Sequence, residues 1–378
     1  MKILFLTPYP AGEAPSQRFR FEQYFPALRE RGIAYTERSF LDLATWRILY
    51  KPGHQAAKIW GIVKGFGRRV KHMLEVPGYD YVFIHREITP IGPPVFEWIV
   101  AKLLGKKIIY DFDDAIWMAL TSKHNQMAAI VKWHSKVASI CGWSYKVSCG
   151  NDFLCDYARQ FNPSVVLNPT TIDTVHLHNR TNPQTSEKVV LGWTGTHSNM
   201  VYLASLLPVL RRLEEKYDFT FRVISNQDPQ LELKSFDYVP WQKATEIADL
   251  VQFNAGVMPL EEKVSPLSLG KCGFKALQYM SLGIPAVASP VGVNTKIVTD
   301  NVNGFLCETE EDWYQALARL IEDAELRRRL GANAQRTVQE RYSVLSNTEN
   351  FIRLFSAAGV SLPLIAASAA PTSATAHR

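Results

Sequence analysis

Short β-branched and aromatic runs alternate with stretches of helical periodicity along this chain. The runs are 3–7 (ILFLT), 81–85 (YVFIH), 107–112 (KIIYDF) and 145–149 (YKVSC); the pattern restarts at 189–195 (VVLGWTG), 219–226 (FTFRVISN), 255–260 (AGVMPL) and 284–289 (IPAVAS). Strands alternating with helices predict βαβ units and parallel sheets, here one in each half of an α/β protein. A helix is expected from Ser16 to about Arg31, stopped by Gly32 and kinked or broken at Pro26. Thr309 followed by Glu310, Glu311 and Asp312 predicts another whose acidic first turn suits the helix dipole, and an arginine-rich helix is expected over 324–341. The polar, turn-rich segment 173–188 predicts an exposed linker, which puts the domain boundary near 180. The Ala/Ser/Thr/Pro-rich end from 359 to 378 is expected to be poorly ordered.

Composition narrows the class. The 378 residues suit two domains of ordinary size, and 47% hydrophobic residues with 21% charged exclude a disordered or fibrous chain. A net charge of +6 is low for a dedicated nucleic-acid binder, and the basic and aromatic residues form no recognised nucleic-acid module, so no nucleic-acid partner is expected. Five scattered cysteines without a C-x-x-C pair imply neither a disulfide framework nor a zinc site, and a reducing cytoplasm is expected. The apolar N-terminal run is broken by prolines and reads as a first strand rather than a signal peptide, and no run approaches the ~20 apolar residues of a membrane span.

The usual dinucleotide, P-loop, nucleophile-elbow and H-E-x-x-H fingerprints are absent. The chemistry concentrates instead in SPLSLGKCGFKALQYMSLGIPAVASPVGVN, residues 265–294. It predicts a loop ending near Gly270 and a helix to about Leu282, with Lys271 and Lys275 at i and i+4 on one face of its first turns. A helix N-terminus with two lysines is a seat for a diphosphate; the alternative is a pair of solvated lysines. Gly270 and Gly273 favour the first, because they let backbone approach a ligand closely. YDFDDAIW, 110–117, puts Asp111, Asp113 and Asp114 at the end of a strand, where open α/β sheets bind ligands. These carboxylates could orient or deprotonate a hydroxyl, or cap the next turn; a D-x-D can also hold a divalent cation.

Taken with GWTGTHSN at 192–199, these stretches resemble the retaining glycosyltransferases of the GT-B fold (glycosyl transferases group 1), a large bacterial group that builds polysaccharides and glycoconjugates. The resemblance runs to about residue 355 and implies two Rossmann-like domains facing across a cleft. Residues 1–179 would receive the acceptor, 180–347 would hold a nucleoside diphosphate sugar, and a last helix at 348–358 would cross back to the first domain. It implies no cofactor and no metal. Better-known members carry two glutamates where this chain has Gly270 and Gln278, and an arginine and a lysine where it has GTHSN. The implied donor contacts are therefore Gly195, Thr196, His197, Ser198, Gly270, Gln278 and Thr170, with Lys271 and Lys275 supplying the missing cations. Lys271, Lys275, Asp113 and Asp114 are the expected catalytic residues. On the acceptor side the resemblance points to Gly12, Arg18, Arg20, His85, Arg86 and Asp111. His176 and His178 are expected in the linker, and Trp193 in the core. The expected acceptor is a glycan, a glycolipid or a small metabolite. A nucleotide-sugar epimerase of the same architecture and a non-catalytic nucleotide-sugar binder are the rivals.

The charge is not spread evenly. Residues 43–74 contain Arg47, Lys51, Lys58, Lys64, Arg68, Arg69 and Lys71 and no Asp or Glu, interleaved with Trp46, Ile59, Trp60, Ile62, Val63 and Phe66. Such a basic amphipathic stretch fits an anionic membrane surface on the cytoplasmic side, or is a solvated helix face.

Overall fold

The computed structural model describes residues 1–118, 133–261 and 265–356. It holds two six-stranded parallel sheets. The first comprises β1 (Lys2–Thr7), β2 (Ala34–Ser39), β3 (Tyr81–His85), β4 (Lys107–Phe112), β5 (Lys146–Cys149) and β6 (Val165–Leu167), in the order β2-β1-β3-β4-β5-β6. The second comprises β7 (Val189–Gly195), β8 (Phe219–Ser225), β9 (Phe236–Pro240), β10 (Ala255–Met258), β11 (Ala286–Ala288) and β12 (Gly304–Leu306), in the order β12-β11-β10-β7-β8-β9. Helices cover both faces, so the central strands are largely apolar: Ile3 to Leu6 and Val82 to Ile84 are fully buried. Two sheets of this kind are the two Rossmann-like domains expected from the sequence.

The helix expected over 16–31 is broken. Pro15–Arg18 is a single turn, Glu22–Tyr24 is 3₁₀, and Phe25–Glu30 is helical again with Pro26 in its first turn, where a missing N–H costs nothing. The break carries the Arg20 side chain into the interior. Glu310–Glu322 and Ala324–Arg341 form as expected, the former with a capping box between Thr309 and Asp312.

The segment 173–188 is not a free linker. Asn182 donates to the backbone oxygens of Val251 and Phe253 at 2.7 and 2.6 Å, Gln184 is buried, and His178 is enclosed against Phe19. Burial first, and then the charge of Arg18, push the His178 imidazole down to about 3. His176 is exposed and Trp193 is buried.

The chain returns to the first domain through Val344–Ile352 and a 3₁₀ turn, Arg353–Phe355. Phe351 stacks on Tyr24 at 4.4 Å, and Phe355 meets Tyr81 and Phe83 at 5.8 and 6.2 Å between ring centroids. This is the crossing helix, beginning four residues before 348. The tail expected to be poorly ordered, 359–378, lies outside the described residues.

Candidate active site

The carboxyl ends of the two sheets meet, and the sequence-flagged residues converge there. On the first-domain side, parallel register pairs His85 with Asp111 at the ends of β3 and β4. The Asp111 carboxylate is enclosed: it accepts from His85 Nδ1 at 2.9 Å, from Ser148 Oγ at 2.6 Å and from the Arg20 guanidinium, which also donates to the carbonyl of Asn168. Burial alone would raise the Asp111 carboxyl, but Arg20 and His85 hold it well below the usual carboxylate range. Arg20 and Asp111 are thus an internal ion pair beneath the site, with no surface to offer an acceptor. His85 is equally buried.

Arg86 follows with φ of +60°, a left-handed conformation uncommon for a non-glycine residue. Its main chain is held by an N–H to the Asp111 carbonyl at 2.7 Å and by Tyr110 Oη on its own carbonyl at 2.7 Å. The turn brings its guanidinium onto Asp113 Oδ1 at 2.9 and 2.7 Å. Asp113, which burial would raise, is held below its ordinary range by Arg86, His85 and Arg20. Asp114 is the most accessible carboxylate of the three. Its Oδ1 accepts from the N–H of Ala115 at 3.0 Å and its Oδ2 reaches across the cleft to Lys271 Nζ at 2.9 Å. It therefore both caps the turn and touches the opposite domain. The two carboxylates of the D-x-D, Asp111 and Asp113, face separate guanidinium groups.

Gly12 lies in a turn at φ of +73°, its N–H donating to Glu22 at 2.9 Å while its carbonyl accepts from Lys243 of the second domain. Beneath it, burial and the neighbouring Glu22 push the Glu37 carboxyl up to about 8. Arg18 bridges the cleft as well, to Glu246 at 2.9 Å.

On the second-domain side, the Phe274–Ser281 helix begins one turn later than the sequence suggests. Gly273, at φ of +70°, is its N-cap, so Lys271 stands in the extended segment before it and only Lys275 is helical. The two ammonium groups still approach the same place, because Lys271 extends toward Asp114 while Lys275 rises beside the end of β7. A Cβ on Gly195 would lie 2.9 Å from Lys275 Cε and 2.6 Å from the Trp193 ring, so only glycine leaves room there for the lysine. Lys275 Nζ lies 5.6 Å from the Trp193 ring centroid, with no carboxylate partner among the described residues. Burial, reinforced by the charge of Lys271, pushes the Lys275 ammonium down to about 8. Lys271 is raised instead: burial opposes its charge, but Asp114 outweighs it.

Past β7, Thr196, His197 and Ser198 are exposed at the cleft; Thr196 Oγ1 and Ser198 Oγ are 2.9 Å apart, and the His197 N–H donates to Asn226 Oδ1 at 2.9 Å. Gln278 is buried and donates to Glu246 Oε1 at 3.4 Å, which links it through Glu246 to Arg18. Thr170 is buried next to Thr171, whose backbone and hydroxyl oxygens accept from Gln23.

The glycines expected to admit a ligand have another use. A Cβ on Gly270 would stand 2.8 Å from the Ala115 Cβ and 2.9 Å from its backbone N, and one on Gly273 2.1 Å from Ile297 Cδ1. Gly270 therefore lets the domains touch, as does Gly150, where a Cβ would lie 2.3 Å from Cys272 Sγ. A Gly270→Val substitution is expected to wedge this contact open, lowering Tm while far-ultraviolet circular dichroism stays unchanged. A wild-type Tm would show that the contact is dispensable.

Residues 226–337 match the family model described as glycosyl transferases group 1. The match lies within the second half of the chain, and the chain as a whole has the GT-B fold. Sucrose-phosphate synthase from Thermosynechococcus elongatus is similar at a TM-score of 0.66 and 14% identity, over 94% of this chain and 98% of that one. The HepE protein of Anabaena, solved in complex with UDP-glucose, is similar at 0.64 and 14% identity over 93% and 98%. A Rickettsia africae glycosyltransferase follows at 0.66 and 11% identity over 94% and 97%. No curated protein matches the chain in sequence. Within this GT-B chain the sequence motifs left out Glu246 and Lys243 and gave no role to Cys272. Cys272 Sγ donates to the Asp113 carbonyl at 3.1 Å, and Glu246 opens the short helix Glu246–Leu250. Each acts across the cleft from a loop or a single turn, where spacing carries no signal.

Proposed function

We propose that this protein transfers a glycosyl group from a nucleoside diphosphate sugar to an acceptor hydroxyl, retaining the anomeric configuration. Lys275 carries the proposal: it is a half-buried ammonium at the end of β7, without a carboxylate partner among the described residues, within the stretch that matches the glycosyl transferases group 1 model. A cation kept without a counterion is poised for an anion. The nucleotide sugar bound by HepE, a protein of the same fold, agrees in class with the donor proposed here.

The reaction forms a bond from the acceptor oxygen to the anomeric carbon and breaks the bond from that carbon to the diphosphate oxygen. Negative charge grows on the leaving diphosphate, and preorganised donors aimed at it contribute most to the rate. Lys275, Lys271 and the N–H groups around Gly195 fill that role, with no metal or cofactor invoked. A diphosphate arriving at Lys271 competes with Asp114, and the carboxylate so released is placed to orient the acceptor hydroxyl and take its proton. Thr196, His197 and Ser198 bind phosphate oxygens, the buried Gln278 and Thr170 back the donor side from within the fold, and Gly12, Arg18 and Arg86 shape the acceptor end. Arg20, His85 and Asp111 hold that end from beneath.

A thermal-shift series with nucleoside diphosphates tests donor binding directly, because a ligand that binds only the folded state raises Tm by mass action. One nucleoside diphosphate is expected to raise Tm by several degrees, and no response to any of them would defeat the assignment. With the matching nucleotide sugar, release of nucleoside diphosphate in step with a glycosylated product distinguishes transfer from epimerisation, which releases none, and from binding alone.

A further inference from the structure

The segment 43–74 forms two helices, Leu43–Leu49 and the 21-residue Gln55–Glu75. The long helix is amphipathic in an unexpected sense. Its buried line is Gly61, Gly65, Arg69 and His72, where small residues allow close approach to Thr45 and Phe40. The opposite line carries Ile59, Val63, Phe66, Val70 and Leu74, a helical repeat that places them on one face. Ile59, Val63, Val70 and Leu74 are 51 to 81% exposed, and Trp60 beside them is 62% exposed. The stripe continues onto its neighbour, since Phe66 and Phe96 lie 6.4 Å apart and Val95, Trp98 and Leu103 are exposed as well. An apolar surface of this extent on a folded domain marks an interaction site.

The charges around it are mostly cationic, and the carboxylates of Asp42 and Glu75 beside it are taken up in ion pairs. Arg69 is internal, donating to the carbonyls of Ile88, Arg38 and Thr7, and Asp42 takes up both Lys64 and Arg68. Arg47, Lys51, Lys58, Lys71 and Lys102 have no carboxylate partner among the described residues. Lys64 and Lys71 each follow a stripe residue directly and so flank it. A second copy of the chain seated on the stripe by a twofold axis would set these cations against one another. An anionic bilayer answers both the apolar stripe and its cationic rim.

The helix is also placed for such docking. Arg69 meets Thr7 at the end of β1, and Gly65 meets Phe40 just beyond the end of β2. The turns before them, with Ile59, Trp60 and Val63, therefore overhang the carboxyl end of the sheet, where the cleft opens. We propose that this stripe, formed by the outward face of Gln55–Glu75 with Val95, Trp98 and Leu103, docks the protein on an anionic membrane surface with the cleft end toward the lipid.

Flotation of the full chain with vesicles of phosphatidylcholine, alone or mixed with phosphatidylglycerol, tests the proposal. The protein is expected to float with the anionic vesicles and to be released by salt. The double variant Ile59→Glu, Val63→Glu is expected to lose at least tenfold in bound fraction with Tm unchanged, because both side chains are mostly exposed. Lys71→Glu should lose about fivefold or more, from the worth of one cation near an anionic surface. Val201→Glu, at a 53% exposed position on the second domain, should float like the wild type. Wild-type protein that stays with the soluble fraction overturns the proposal, as does a double variant that floats normally. A double variant that melts early, or that dissolves a wild-type dimer, would show the stripe covered by protein and overturn it equally. No nucleotide sugar enters the measurement, so its outcome and that of the transfer assay are independent.

Discussion

Lys275→Ala is expected to lower kcat by about 10²-fold or more, the scale on which removal of one preorganised donor to a developing anion acts. Nothing among the described residues pairs with this ammonium, so its loss orphans no carboxylate, and the small cavity left beside Trp193 is the only structural cost. Tm should therefore hold or rise slightly while turnover collapses. The pH dependence gives an independent signature. With its ammonium pushed down to about 8, Lys275 begins to lose its charge in the free enzyme where an ordinary lysine would keep it. The donor kcat/KM should fall as pH rises through about 8, and Lys275→Ala should lack that limb. The same shift has the opposite consequence for stability. Between about pH 8 and the unfolded value near 10.4, the unfolded chain binds more protons at this residue than the folded one, so its contribution favours folding more as pH rises. An enzyme with wild-type turnover after Lys275→Ala would end the proposed role.

The second large effect is on the fold. Arg20→Ala leaves the Asp111 carboxylate buried with only His85 and Ser148, and breaking a buried pair from one side typically costs about 3–5 kcal/mol. For a domain of this size that corresponds to a fall in Tm on the order of 10 °C. The sign with pH follows from the Asp111 carboxyl being held below its ordinary range. Its contribution to stability is present above the unfolded value near 3.9 and is lost as pH falls from there toward the lower folded value. The gap in Tm between wild type and Arg20→Ala should accordingly be full at neutral pH and close on acidification below about pH 4. A substitution that leaves Tm unmoved would mean that Arg20 is solvated and free to serve an acceptor, contrary to its enclosure.

The strands show where sequence reading succeeds. Each of the eight central strands announces itself as a run rich in apolar or β-branched residues, since a parallel strand covered by helices on both faces has little polar face to interrupt it. The four not read as strands, β2, β6, β9 and β12, are the four sheet edges, and each is either only three residues long or mixed in polarity. An edge strand is half solvated, and AYTERS in β2 is accordingly mixed in polarity. The helix over 324–341 and the capped helix after Thr309 were legible for the complementary reason: their end signals lie within a few residues of one another in the chain.

At the site the division is similar. Clusters of lysine, glycine and aspartate at predicted strand ends were enough to bring Lys271, Lys275, Asp113 and Asp114 to one crevice on paper, because in a parallel α/β sheet all strand ends of one polarity face the same way. What each residue does there was not legible. Arg20 and Asp111 look like ligands in the chain and are an enclosed pair in the fold, because a break in a short helix turns Arg20 inward. Gly270 looks like a phosphate loop glycine and spares a clash with Ala115. Glu246 and Lys243, silent in the sequence, reach across the cleft to Arg18 and Gly12. The sequence by itself determined the two parallel sheets and the end of each that faces the cleft, since these follow from local hydrophobic pattern and chain direction. Only the tertiary structure decided which charges at the cleft neutralise one another and that Lys275 is left without a carboxylate partner among the described residues, because a salt bridge depends on a separation of a few ångströms between residues as far as 318 positions apart.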